Sequence, residues 1–161
     1  VEAVQGATGY QIYRKKGSKV TMIGQTSGTV FLDQNPVSGK SSYYAKAIKG
    51  SLTGKEGSAK KITLPKATTK VTAKAKTDKT VVLSWKKVKG ATGYLVYRST
   101  KKNGSYQRIA VLKKGTKCTY TDKKGLKKGM KYHYRIVTVK KKTYSPAKTT
   151  KAVKIKAAKK K

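Results

Sequence analysis

Residue types that can perform catalysis are scarce in this sequence. The 161 residues include one histidine, one cysteine and five acidic residues, spread along the chain. Nucleophilic catalysis needs a nucleophile, a base and an orienting group in contact, and a metal site needs clustered His, Cys or carboxylate ligands. Neither pattern occurs, and no glycine-rich nucleotide motif precedes a helical segment. We therefore expect no enzyme, cofactor or metal site in this chain, although a longer parent protein can carry a catalytic domain elsewhere.

The single cysteine and histidine both have structural interpretations. Cys118 alternates with Tyr120 in KCTYTD, which predicts that the thiol faces a protein core, and a lone cysteine forms no intrachain disulfide. His133 stands between Tyr132 and Tyr134. If the two tyrosines point inward from a strand, the histidine must point toward solvent.

Positive charge is the dominant property of the chain. Lysine and arginine number 41 against five acidic residues, a net charge of +36, and only four of the basic residues are arginine. Residues 1–65 hold 10 basic and three acidic residues, a net of +7, whereas residues 66–161 hold 31 and two, a net of +29. A field of this sign attracts polyanions in general. Lysine binds as a hydrated point charge, whereas sequence-specific nucleic-acid recognition relies on arginine.

The lysines crowd the loops and strand exteriors of the second half. One interpretation is a solvated surface that maintains solubility and keeps sheet edges from pairing. The other is binding to a polyanion, such as an anionic cell-wall polymer. The lysines that we assign to this binding are Lys86, Lys87, Lys89, Lys123, Lys124, Lys127, Lys128, Lys140, Lys141 and Lys142.

A sequence repeat organises the chain. QGATGYQIYR at residues 5–14 recurs 84 residues later as KGATGYLVYR at residues 89–98. Further along, TVFLD matches CTYTD, which pairs Asp33 with Asp122, and both are expected to cap turns. The offset thus grows from 84 to 89 residues, and we assign the five extra residues to the loop at 100–106.

The repeat continues through a third tyrosine-rich segment. YYAKAIK aligns with YHYRIVT, so that Tyr43 corresponds to Tyr132. The second copy alone is preceded by residues 67–85, because Val1 aligns with Trp85. The first copy is therefore expected to lack its first strand and most of its second.

Short alternating segments predict an all-β fold. They are bounded by Gly, Asp and Lys clusters, and their spacing is typical of an antiparallel β-sandwich. The seven strands predicted in the second copy cover residues 69–75, 79–87, 92–98, 106–112, 117–121, 130–139 and 147–156.

The second copy resembles a fibronectin type III domain. Trp85 stands where that family has its core tryptophan, and Tyr94 falls at an inward position of the third strand. Leu126 followed by Tyr132 is similar to the family's leucine and tyrosine-corner pair, in which the phenol hydrogen-bonds to nearby backbone. The sequence around GATGY is similar to that of bacterial type III domains. This resemblance implies tandem accessory modules of secreted or wall-associated Gram-positive proteins.

The sequence therefore predicts two immunoglobulin-like antiparallel β-sandwiches in tandem. Residues 1–65 form a type III-like domain that lacks N-terminal strands, and residues 66–161 form a complete one with a lysine-rich C-terminal tail. The short linker from Leu64 to Ala67 predicts an end-to-end, semi-rigid arrangement. Three explanations are open for the strands that the first domain lacks. The chain is truncated or incompletely traced, another chain supplies the strands, or the domain tolerates a reduced sheet.

Three functions agree with these features. The first is a structural or adhesive module of a bacterial extracellular or wall-associated protein, held by its charge to anionic polymers. The second is a host-facing adhesin module that binds a protein or a glycan, to which Tyr13 and Tyr97, the expected exposed aromatics, contribute. The third is non-specific nucleic-acid binding. No apolar run approaches the length of a membrane span, so we expect no transmembrane segment. The resemblance to bacterial secreted and wall-associated modules implies an extracellular, secreted or cell-wall-associated localisation.

Overall fold

The computed structural model describes residues 1–155, and all regular structure in that range is β-strand. The chain divides into two compact units, Val1–Leu64 and Pro65–Lys161. The lysine-rich tail from Lys156 onward lies outside the described residues.

Unit 1 contains a single antiparallel sheet. Its strands follow the order β2-β1-β3-β4, and β5 pairs with β3 on the same side as β4. Their bounds are β1 Gly9–Lys16, β2 Lys19–Thr26, β3 Gly39–Lys49, β4 Leu52–Glu56 and β5 Lys60–Leu64. The GATGY motif lies at the entry to β1, with the turn before the strand and Tyr10 and Ile12 buried within it.

Residues 29–33, the counterpart of a strand in unit 2, form no strand in unit 1. In unit 2 the equivalent strand pairs with the strand that precedes Trp85, and the described residues of unit 1 provide no counterpart of that partner. The backbone of this segment therefore has no ladder to join. Val30 and Leu32 consequently stand 83% and 71% exposed.

Unit 2 is a sandwich of two antiparallel sheets. The first sheet has the order β10-β7-β6 and the second β12-β11-β8-β9, with β13 and β14 also paired to β11. The bounds are β6 Thr72–Thr77, β7 Thr80–Ser84, β8 Gly93–Ser99, β9 Gln107–Leu112, β10 Thr119–Asp122, β11 Lys131–Lys140, β12 Thr143–Tyr144, β13 Lys148–Thr149 and β14 Val153–Lys154.

Alternation along the strands places one face of each sheet in a shared core. From β7 come Val81 and Leu83, and from β11 come Tyr134 and Ile136, all of them fully buried. Successive side chains of a strand point to opposite faces. The residues between these core positions therefore lie on the outer faces of the sandwich.

The last predicted strand, 147–156, is broken into short pieces. Pro146 has no N–H to donate to the ladder. Beside it, the Ser145 hydroxyl accepts the Thr138 N–H at 2.9 Å, and further on the Thr150 hydroxyl accepts the Tyr134 N–H at 3.1 Å. Side-chain oxygens thus replace the backbone carbonyls of a continuous strand as hydrogen-bond acceptors. The alternation of apolar residues in the sequence does not indicate this exchange.

The register of the strands corrects the alignment of the repeat. Arg14 pairs with Tyr43 in unit 1, whereas Arg98 pairs with Tyr134 in unit 2. Tyr43 is therefore the counterpart of Tyr134 and not of Tyr132. The position of Tyr132 is occupied by Ser41, because the loop before β3 is two residues shorter than sequence similarity indicates.

The five extra residues of unit 2 are also distributed differently from the prediction. Arg14 pairs with Thr21 and Arg98 with Gln107, so the hairpin of unit 2 is longer by only two residues. The remaining three lie after β9, in the segment 113–118. This segment carries three lysines, which places the length difference in a charged loop.

Candidate binding surface

The ten predicted polyanion-binding lysines are all exposed, but they lie at two opposite ends of unit 2. Strand β8 starts at Gly93 beside Val139 and ends at Ser99 beside His133, which fixes the direction of the sheet. Lys86, Lys87, Lys89, Lys140, Lys141 and Lys142 therefore flank the start of β8. The remaining four, Lys123, Lys124, Lys127 and Lys128, flank its end.

The first group belongs to what we call the lysine end, formed by residues 85–92, 113–118 and 140–142. Three contacts hold these segments together. The Thr92 N–H donates to the Val139 carbonyl at 2.8 Å, and Lys141 N–H donates to the Thr92 hydroxyl at 3.2 Å. Gly115 lies so close to the Ala91 carbonyl that a side chain there would overlap it.

The charge of the lysine end is uncompensated. Nine lysines occur in its three segments, and the described residues place no carboxylate among them. Both acidic residues of unit 2 lie at the opposite end: Asp78 pairs with Lys128 at 3.2 Å, and Asp122 pairs with Arg98 at 2.9 Å. A surface of this kind attracts anions over long range.

Asp122 is 2% exposed. It caps a turn, as its sequence position predicts, and it also binds two further side chains. Its Oδ1 accepts the Lys124 N–H at 3.3 Å, as a capping side chain does. Its Oδ2 accepts a bond from Arg98 and another from the Tyr134 hydroxyl, the latter at 2.9 Å. Burial, followed by the charge and hydrogen bond of Asp122, raises the pKa of Tyr134. This carboxylate therefore holds loop, strand and core together.

Unit 1 repeats the same cluster. Asp33 accepts bonds from Arg14 at 2.7 Å and from the Tyr43 hydroxyl at 2.9 Å, and its other oxygen caps Asn35 at 2.9 Å. Burial and the hydrogen bond to Asp33 raise the pKa of Tyr43. Asp33 and Asp122 therefore both use their carboxylate oxygens in hydrogen bonds within their own unit.

The four residues predicted to be structural lie in or beside the core of unit 2. Trp85 directly follows β7 and packs edge to face on Tyr94 with ring centroids 5.3 Å apart. Leu126 packs against the core, and the Tyr132 hydroxyl accepts the Lys127 N–H at 3.0 Å, which is the geometry of a tyrosine corner. Cys118 also packs on the core, with Sγ 3.9 Å from the Tyr94 hydroxyl.

His133 does not stand free in solvent as its neighbours predict. It is half-buried on the outer face of β11, and its Nδ1 is covered without a hydrogen-bond partner in the described part of the chain. Among residues 1–155, no group of three or more His, Cys, Asp or Glu side chains is arranged to hold a metal ion. Nor does that range contain a helix with the length and apolar character to cross a membrane.

Comparison with known proteins agrees with the sandwich of unit 2. The sequence profile of the fibronectin type III domain matches residues 65–153, more than half of the chain. The chain belongs to the fibronectin type III family. A crystal structure of an Fn3-like protein from Clostridium thermocellum is similar at 27% identity and a TM-score of 0.51. That match covers 61% of this chain and 100% of the bacterial one.

Two further similarities involve larger proteins. An amylopullulanase of Thermoanaerobacterium saccharolyticum is 40% identical over 78 residues, which is 48% of this chain and 6% of that enzyme. The chain thus spans a small part of its curated relative. A segment of two type III domains from chicken tenascin matches at 19% identity and a TM-score of 0.50, over 94% of this chain and 87% of that chain, which shows the fold alone.

The two predicted aromatics lie in different units, and in each unit neighbouring side chains cover them in part. Tyr13 stacks on Tyr44, its cross-strand partner, with centroids 5.2 Å apart. Tyr97 occupies the equivalent position in unit 2, opposite Arg135. Both tyrosines are half-buried and not fully exposed.

Sequence reasoning missed the surroundings of Tyr97. Arg108 pairs with Tyr97 from β9, and Arg135 pairs with it from β11. The guanidinium of Arg135 lies 3.9 Å from the ring centroid of Tyr106. The sequence did contain one signal, because the chain has only four arginines. Arg14 and Arg98 bind carboxylates, and the other two lie on either side of Tyr97.

Proposed function

We propose that this chain is a non-catalytic accessory segment of a bacterial extracellular protein, held by its positive charge to anionic polymers such as those of a cell wall. Type III domains commonly serve as accessory modules, and the amylopullulanase relative carries its similar segment within a much longer enzyme. The observation that carries the polymer contact is the lysine end, where nine lysines are grouped without a carboxylate in the described structure.

We also propose that the two units are tandem type III domains. The Arg–Asp–Tyr cluster occurs in both, and the pairing of β1 with β3 follows that of β8 with β11 residue for residue. Unit 1 then contributes one sheet of a sandwich, and the loops that follow its strands correspond to those of unit 2.

A binding assay with a matched pair of variants tests the polymer contact. In the first variant, six lysines of the lysine end become Gln: Lys86, Lys87, Lys89, Lys140, Lys141 and Lys142. In the second, six lysines of the opposite end become Gln: Lys79, Lys101, Lys102, Lys123, Lys124 and Lys127. Both variants lose six positive charges, and neither loses the Lys128 partner of Asp78.

Sedimentation with purified poly(glycerol phosphate) wall polymer measures the retained fraction at low and high salt. We expect the unmodified chain to bind at low salt and to be released as salt screens exposed charge. The first variant should lose clearly more retention than the second. Equal losses would show that total charge alone is responsible and would contradict a role for the lysine end.

Binding to duplex DNA distinguishes the nucleic-acid alternative. A dedicated nucleic-acid protein should bind the duplex more tightly than the wall polymer at the same salt concentration, and its affinity should fall steeply as salt rises. We expect no such preference, because lysine supplies most of the charge and gives little base recognition.

A further inference from the structure

We propose that the outer face of unit 2 carries a separate binding site for a carboxylated polysaccharide, centred on Arg135, Tyr97 and Arg108. We call these three residues, together with Tyr106, the arginine rung. The first three lie on the second sheet of the sandwich, on the face opposite the core, and Tyr106 lies in the loop before β9. The proposal does not depend on the polymer contact described above.

Arg135 is held in a fixed orientation. The ring of Tyr106 lies against its guanidinium at 3.9 Å, and its Nε donates to the Thr149 hydroxyl at 3.3 Å. The Tyr106 hydroxyl is itself fixed by the Lys102 carbonyl at 3.0 Å. The terminal nitrogens of Arg135 have no hydrogen-bond partner among residues 1–155. A guanidinium that is oriented from one side, and whose terminal nitrogens are unpaired among the described residues, can bind a planar oxyanion with its fork.

The rest of the rung extends this receptor across the sheet. Tyr97 lies between the two arginines because it pairs with Arg135 on one side and with Arg108 on the other. Strands are about 4.8 Å apart, so the two arginines are separated by about 10 Å at the backbone. Within the described chain, neither arginine has a carboxylate at ion-pair distance. The order across the sheet is therefore cation, aromatic, cation.

The fold itself does not require arginine at these positions. In unit 1, Tyr13 occupies the place of Tyr97, Tyr44 that of Arg135, and Met22 that of Arg108. The bulge beside the tyrosine is also the same in both units. Unit 1 thus builds this rung from a stacked tyrosine pair and a methionine. The arginines are additions of unit 2 to a shared scaffold.

The rung fits a polymer in which sugar carboxylates alternate with neutral sugars. Each carboxylate can accept a bidentate bond from one arginine. The neutral sugar between them lies over Tyr97, whose half-buried ring offers an apolar surface beside a hydroxyl. A poly(glycerol phosphate) strand has no ring to cover Tyr97. A single-stranded nucleic acid stacks successive bases on several aromatic faces, and one face of Tyr106, the neighbour of Tyr97 in this site, is already covered by Arg135.

The test measures binding of a hexasaccharide of alternating glucuronate and N-acetylglucosamine to the 161-residue chain. Calorimetry at 0.3 M NaCl suppresses the diffuse attraction of the lysines, because the screening length is then short. We expect binding of this hexasaccharide and none of the neutral N-acetylglucosamine hexamer. Arg135→Lys keeps the charge but loses the fork, and should weaken binding about tenfold.

Arg108→Lys is the second variant, because Arg108 is exposed and its side chain forms no ion pair with the described residues whose loss would unfold the unit. It should also weaken binding several-fold. The control exchanges Lys86, Lys87 and Lys89 for Gln and should change affinity less than twofold at this salt. Unchanged affinity in both arginine variants would overturn the proposal. So would equal or tighter binding of a poly(glycerol phosphate) hexamer or a single-stranded oligonucleotide.

Discussion

Arg98 and Asp122 form an ion pair of 2.9 Å in which the carboxylate is 2% exposed and the guanidinium side chain 19%. The same carboxylate oxygen accepts the hydroxyl of Tyr134. In unit 1 the equivalent pair, Arg14 and Asp33, is 2.7 Å long and 14% exposed on both sides. The two clusters share their chemistry and differ in burial, so their contributions to stability should differ as well.

Asp122→Ala should destabilise unit 2 by about 3 kcal/mol, because removing one partner leaves the other buried without compensation. Trp85 is the single tryptophan of the chain and lies in unit 2. Its fluorescence during urea unfolding therefore reports that unit. Asp33→Ala, which acts in unit 1, should leave the tryptophan midpoint unchanged.

The exposed pair of Asp78 and Lys128 provides the control for burial. Its side chains are 27% and 56% exposed, and exposed pairs contribute at most about 1 kcal/mol. Asp78→Asn should therefore shift the tryptophan midpoint little. A shift as large as that of Asp122→Ala would contradict the assignment of stability to the buried carboxylate.

Tyr134→Phe should change how the stability of unit 2 depends on pH. The pKa of Tyr134 is raised in the folded state, so its neutral form is favoured there. Its contribution is complete below the unfolded pKa of about 10 and falls as the pH rises above it. The stability advantage of the unmodified chain over the variant should thus be constant from pH 7 to 9.

Above pH 10 that advantage should decline, by at most about 1.4 kcal/mol per pH unit. Lysines titrate in the same range, but they do so in both proteins and cancel in the difference. Urea unfolding followed by tryptophan fluorescence at pH 7 to 11 measures it. An advantage that stays flat to pH 11 would show that the phenol of Tyr134 titrates normally.

Tyr132→Phe should destabilise unit 2 by about 1 kcal/mol, the usual contribution of a hydrogen bond. The substitution removes only the hydroxyl that accepts the Lys127 N–H and keeps the buried ring. Tyr106→Phe removes a hydroxyl from an exposed loop contact and should cost less. Thermal unfolding of the two variants checks this order.

Gly115→Ala should destabilise unit 2 by about 1 to 3 kcal/mol, the range for overpacking a tight contact. A Cβ at Gly115 would overlap the Ala91 carbonyl, so the segments of the lysine end must separate. At Gly28 the nearest atom to an added Cβ is the Thr26 hydroxyl at 4.0 Å. Gly28 lies in unit 1, and Gly28→Ala should therefore leave the melting temperature of that unit unchanged within about 1 °C.

The sequence allows the scaffold of unit 2 to be predicted because its signals are local. Alternation locates the core positions of β7, β8 and β11, and the spacing from Leu126 to Tyr132 indicates the tyrosine corner. The alignment of Tyr43 with Tyr132 was wrong because each copy has two tyrosines in this segment, Tyr43 and Tyr44 in the first and Tyr132 and Tyr134 in the second. The pairing of Arg14 with Tyr43 and the hydrogen bond from Tyr43 to Asp33 distinguish the two registers.

The arginine rung could not be predicted, because it joins three strands and a loop. Tyr106 and Arg135 are far apart in sequence, and nothing in the loop indicates which strand it will cover. The breaks in the last predicted strand, 147–156, were missed for a related reason. The side chains of Ser145 and Thr150 accept hydrogen bonds that backbone carbonyls would accept in a continuous strand.

The broken strand at the end of unit 2 has a mechanical consequence. β12, β13 and β14 each pair with β11 through only two residues, whereas β8 pairs with β11 through seven. Tension applied from the C-terminal side meets the three short ladders one after another, and detaching β14 removes Val153 and Ile155 from the core. The longer β8–β11 ladder then bears the load, so unit 2 loses the C-terminal part of its core before its longest ladder is stretched.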